Sequence, residues 1–96
     1  MDLQKTPVQL NTARHRFEMN IEGEYAVINY RQVGNTISLI HTEVPESLEG
    51  KGIAAHLVEK TLQYLEAHHL KMIPMCSYVQ HYLQKHPEWN RLVVEE

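Results

Sequence analysis

The sequence predicts a small α/β domain of the α+β kind, with elements in the order β-β-β-α-β-α and a mixed sheet. Three observations carry that prediction. Apolar and polar residues alternate through residues 14–21 and again through 24–32, the period-2 signature of half-buried strands. Glu22-Gly23 and Gly34-Asn35 stand between the apolar runs as tight-turn signals, so those strands and the one that follows form an antiparallel meander. Beyond residue 50 the period becomes helical, with Ile53, Leu57, Val58, Thr61, Leu62 and Leu65 on one stripe.

Taken in order, residues 1–12 are polar with scattered apolar positions and contain Pro7, which reads as a flexible arm ahead of a single domain at 13–96. The first strand turns Phe17, Met19 and Ile21 to one face. The second opposes Tyr25, Val27 and Asn29 to Ala26, Ile28 and Tyr30. The third, at residues 36–41, is rich in β-branched and apolar side chains, and Pro45 marks its end or the end of the extension after it. A helix begins near Gly50–Gly52. Residues 70–75 then read as a short buried strand ending at Pro74, and Ser77 is a fitting N-cap for a helix from Tyr78 to about His86, stopped by Pro87. Trp89 and Leu92 are the anchors expected in the tail. Strand, helix and strand across residues 36–75 make a right-handed crossover. If its two strands are adjacent, the segment from His41 to Val44 meets Met75 and Cys76 at one sheet edge, where ligands of open α/β sheets bind.

Size and composition narrow the classes. Ninety-six residues suffice for one small domain. The 43% hydrophobic and 22% charged fractions describe a globular chain and not a disordered one. A net charge of −3 argues against a nucleic-acid partner. No apolar run is long enough for a membrane span, and the first twelve residues lack the pattern of a secretory leader. A single cysteine excludes an internal disulfide, so a reducing, cytoplasmic setting is expected.

The stretch His41 to Leu57 organises the chemistry. Gly50 and Gly52 stand where a strand gives way to a helix; glycine there lets a ligand approach the backbone, and the free N–H groups of a helix start suit an anion such as a pyrophosphate. Glu43, just past the third strand, is a candidate general base, for which an apolar setting would raise the pKa. The alternative is a surface carboxylate in a loop. Cys76, beside a helix N-terminus, is a candidate for a lowered pKa; the alternative is a buried structural thiol. Tyr78 and Tyr82, four residues apart, share a helix face. His41 can orient Glu43, since the two point to one side of a continuing strand. No histidine or cysteine spacing matches a known metal motif, so no metal is expected.

Three motifs in order resemble the small stand-alone members of the GNAT superfamily of acyl-CoA-dependent N-acetyltransferases. They are His41-Thr42-Glu43-Val44-Pro45, then the glycine run Glu49-Gly50-Lys51-Gly52-Ile53-Ala54, then Pro74-Met75-Cys76-Ser77-Tyr78-Val79 with His86-Pro87-Glu88-Trp89. The likeness covers roughly residues 14–93. At the first position of the glycine signature Glu49 replaces the usual Gln or Arg. The resemblance implies a minimal GNAT fold and acetyl-CoA as cosubstrate, held by Val44, Gly50, Lys51, Gly52, Ile53 and Ala54, with the pantetheine arm between two splayed strands. It implies catalytic roles for Glu43, Cys76 (acyl relay or proton donor) and Tyr82 (proton donor), with His41 and Tyr78 orienting or binding substrate. The acceptor would be a primary amine: a small molecule, a polyamine, or a protein lysine or N-terminus. Glu22-Gly23 leaves no room for the helices that build the acceptor site in larger relatives, so that side should be open. The oligomeric state is left undecided. The alternative function is a non-catalytic acyl-CoA-binding module, or a protein-interaction module, on the same fold.

Overall fold

In a computed structural model of the chain, residues 6–94 are described. Five strands form one sheet in sequence order: β1 (Gln9–Asn11), β2 (Arg16–Ile21), β3 (Glu24–Val33), β4 (Thr36–Glu43) and β5 (Lys71–Pro74). The first four pair antiparallel, and β5 lies parallel to β4, as the crossover requires. Helix α1 (Ile53–Ala67) makes that crossover, and α2 (Ser77–Lys85) follows β5. The sheet is therefore mixed, and the third predicted strand and the short strand after α1 are neighbours.

The core follows the predicted periodicities. Phe17, Met19 and Ile21 of β2, Ala26, Ile28 and Tyr30 of β3, and Ile37 and Leu39 of β4 are all buried on one face. All six stripe residues of α1 are buried against them. Each large side chain taken from water contributes about 1.5–3 kcal/mol, so α1 is held by its stripe and not by caps, of which it has no side-chain example. From α2, Val79, Tyr82 and Leu83 enter the same core.

The structure departs from the sequence expectations in four places. Within the expected arm, residues 9–11 add an edge strand to β2, with Leu10 opposite Phe17; the part of that arm before Thr6 lies outside the described residues. Cys76, and not Ser77, is the N-cap of α2, because the extended backbone leaving β5 persists through Cys76. A short 3₁₀ turn, Glu46–Leu48, follows Pro45 and buries Leu48. The tail winds into a second 3₁₀ segment, Pro87–Leu92, with Leu92 buried and Trp89 half-buried, as anchors. Arg91 then bonds Glu66 of α1, and the Val94 amide bonds the Met72 carbonyl at 2.9 Å, along the outer edge of β5.

Candidate active site

Strands β4 and β5 pair from Thr36 opposite Lys71 to Leu39 opposite Pro74 and then part. Pro74 brings no N–H, and the next two amides, Met75 at 3.0 Å and Cys76 at 2.9 Å, both converge on the Leu39 carbonyl. One acceptor thus closes the ladder. Beyond it β4 runs on to Glu43 bonded only to β3, which leaves the splay that the resemblance implies.

A β-bulge governs what faces the splay. On β4, Leu39 pairs with Tyr30 and His41 with Asn29, so Ile40 is the extra residue. Without it, His41 and Glu43 would continue the inward parity of Ile37 and Leu39. With it, Thr42 lies opposite the fully buried Ile28 and takes the core side. His41 and Glu43 turn to the other face, beside Asn29 and Val27. There His41 Nε2 stands 3.3 Å from Glu43 Oε1, with side chains 61% and 65% exposed. The apolar setting expected around Glu43 is absent: the carboxylate is solvated.

On the core side, Thr42 Oγ1 meets Cys76 Sγ at 3.3 Å. Cys76 is only 6% exposed. Burial alone pushes its thiol pKa up, but the Thr42 hydroxyl, followed by the Val79, Tyr78 and Thr42 backbone, outweighs burial and leaves the thiol below its ordinary value. The side chain closes no complete capping hydrogen bond; the α2 amides act on it as a favourable field. Thr42 was missed by the sequence reasoning although it sits inside the His41–Pro45 motif. Its importance depends on the bulge, and Ile40 carries no local sign of one.

The glycine loop borders a cleft of about 250 Å³ lined by Val44, Glu49, Gly50, Gly52, Ala54 and Tyr78, among others. Gly50 (φ 79°) and Gly52 (φ 75°) adopt left-handed backbone, which explains the residue type at both positions. Gly52 is the N-cap of α1 and accepts the His56 amide, so the amides of Ile53, Ala54 and Ala55 head the helix with no intrahelical partner. Val44, Gly50, Gly52, Ile53 and Ala54 are brought together as expected. Lys51 is exposed and lies outside the cleft lining, whereas Glu49 lines it.

The two tyrosines separate. Tyr78, half-buried, lines the cleft; burial raises its pKa. Tyr82, one turn later, is buried and its ring stacks on His86 at 4.3 Å. Its pKa is raised by burial first, then by the carboxylates of Glu59 and Glu88 and by Tyr78, with partial relief from Trp89. Tyr82 thus faces α1 and the tail and is not among the residues that line the cleft, whereas Tyr78 is.

Comparison with known proteins bears on the family and the fold. The GCN5-related N-acetyltransferase family matches residues 16–92. The protein NATD1 of Gallus gallus is 37% identical over 89 residues, covering 88% of this chain and 81% of that protein. NATD1 of Homo sapiens is 36% identical over 83 residues, covering 83% and 74%. The solution structure of a GCN5-like protein from Staphylococcus aureus superposes with a TM-score of 0.69 over 95% of this chain and 90% of that one, at 24% identity, a likeness of fold. The chain belongs to the GCN5-related N-acetyltransferase family.

Proposed function

We propose that this protein transfers an acetyl group from acetyl-CoA to a primary amine at the splay between β4 and β5. The supporting observation is the coincidence there of the glycine-loop cleft, the parted strands and two polar groups on opposite faces of β4. The cleft suits the cosubstrate in shape: the left-handed glycines and the free amides at the head of α1 form an anion-binding corner. Its charge suits it less, because Glu49 lines the cleft and only the exposed Lys51 offsets it nearby. Weak CoA affinity is therefore expected.

The bound thioester supplies the activated acetyl group, and the chain supplies the rest. Glu43, solvated and oriented by His41, takes a proton from the incoming amine, directly or through a water. The amine nitrogen bonds the acetyl carbon as the carbon–sulfur bond breaks, and the departing sulfur needs a proton. Cys76 supplies that proton better than either tyrosine, because its thiol is lowered while both phenols are raised. Tyr78 bounds the cleft and positions the cosubstrate. The exposed face around His41 and Glu43 admits a small amine, a polyamine or a protein amine.

A second reading is favoured by that same lowered thiol: Cys76 attacks first and carries the acetyl group as a relay. The relay asks more of the site, since the amine as well as the thioester would have to reach a side chain only 6% exposed.

The test is calorimetric titration with acetyl-CoA of the wild-type chain and of Gly52→Val and Ala54→Leu, followed by acetyl transfer to a panel of amines. Saturable binding lost in both variants, with both folded, supports the cleft. Glu43→Gln should keep binding and lower turnover by about 10²–10⁴-fold. An acetylated Cys76 trapped in the absence of amine would establish the relay. Binding with no transfer to any amine would favour a non-catalytic acyl-CoA module. Absence of binding at millimolar ligand would sink every CoA-dependent reading.

A further inference from the structure

Both helices, the turn at Leu48 and the tail segment bury their apolar side chains against one face of the sheet. Among the described residues no helix packs on the other face. Four large apolar side chains remain exposed: Tyr25, Val33, Ile40 and Met75. None of them joins the core. By strand alternation all four stand on the uncovered face. Tyr25 and Val33 lie out of phase with the inward Ala26, Ile28 and Tyr30, Ile40 is the bulge residue, and Met75 precedes the inward Cys76. Single exposed apolar residues are ordinary, but here all four share one side of one sheet.

That face is arranged about its own middle. Along β3 the outward positions are Tyr25, Val27, Asn29, Arg31 and Val33, with Asn29 at the centre. Tyr25 and Val33 are its apolar ends. One outward step from Asn29, Val27 stands beside Glu43 of β4. One step the other way, Arg31 stands beside Ser38. Glu43 is exposed, and so is Arg31. The Arg31 guanidinium has neither an ion pair nor a hydrogen bond among the described residues. An accessible carboxylate and an unmatched cation therefore lie on either side of the level of Asn29, each about 7 Å away along the strands.

We propose that this face is where two copies of the chain associate. A two-fold axis between the sheets, running across the strands at the level of Asn29, turns one face onto the other with strand directions reversed. It sets Arg31 of each copy against Glu43 of the other, and Tyr25 against Val33. Such a contact is isologous and closes at two copies. The face itself carries the carboxylate that its Arg31 lacks, at the position the axis requires, and this charge match selects a second copy as the occupant. The face extends about 26 Å along β3 and about 14 Å from β2 to β5. That footprint is smaller than a standard interface, so the pair is transient. Pairing covers His41 and Glu43 and closes them to the amine; this consequence alone rests on the transferase reading.

The experiment is sedimentation equilibrium of the full chain from about 10 μM to about 1 mM. A reversible monomer–dimer equilibrium is expected, with a dissociation constant of about 100 μM. Arg31→Glu and Glu43→Arg, both at exposed positions, should each weaken self-association about tenfold or more, because each opposes like charges twice in the pair. Mixed in equal amounts, the two variants should recover a dimer, since both contacts of the mixed pair then join opposite charges. The proposal is overturned by a chain that stays monomeric to about 1 mM, by assemblies that grow past two copies, by a dimer indifferent to both substitutions, or by variants that do not recover on mixing. Sedimentation is read without CoA or amine, so failure here and failure of the transferase proposal are distinguishable.

Discussion

The two halves of β4 differ more than any other adjoining segments of the molecule. Thr36–Leu39 is paired on both sides, by β3 and β5, and its inward residues Ile37 and Leu39 are buried. Ile40–Glu43 is bulged, paired only with β3, and mostly exposed. The first half lends rigidity and the second lends access. The bulge joins them with one extra residue, and that residue decides which side chains face the thiol and which face solvent. A small domain with few elements thereby obtains a fixed frame and an opening from one strand.

The contrast can be broken by mutation, starting with the packed half. Leu62→Ala, beneath the sheet on α1 and fully buried, should cost about 2–5 kcal/mol by denaturant titration. A loss below about 1 kcal/mol would mean that the core is looser than its burial implies. At the open half, Thr42→Val should change stability much less but move the Cys76 thiol upward, because the hydroxyl at 3.3 Å helps hold it down. Thiolate absorbance against pH tests this. In the wild type the thiolate appears below the ordinary thiol range, and in the variant at higher pH. The sign extends to catalysis. A proton donor at Cys76 makes turnover fall as pH rises through the thiol's titration, whereas a relay makes it rise. Thr42→Val should displace either limb upward. The smallest effect belongs to the tail: Arg91→Ala removes an exposed pair with Glu66 and should cost less than about 1 kcal/mol.

Most of the frame was legible in the sequence. The stripe from Ile53 to Leu65 needed only helical geometry, and the two hairpins were marked by Gly23 and Gly34. The adjacency of β4 and β5 followed from the crossover. What remained illegible was tertiary in origin. Gln9–Asn11 has one apolar residue, too weak a pattern to call a strand without β2 beside it. Ile40 resembles any β-branched strand residue, so nothing announced a bulge there, and Thr42 went unnoticed as the partner of Cys76. Four-residue spacing placed Tyr78 and Tyr82 on one helix face. Spacing could not show that the first turn of α2 borders the cleft while the next is covered by the tail. Glu43 was picked out by its motif, but its solvated surroundings follow from the register shift and from nothing local.

The bond between Val94 and Met72 bears on how the chain folds. Met72 stands roughly twenty residues ahead of the segment that covers its outer edge. Until that segment docks, β5 can already pair with β4 while its other side offers unpaired amides and carbonyls to any neighbouring strand. Folding, more than the finished molecule, is therefore the stage at which this small sheet is most open to pairing with the wrong chain.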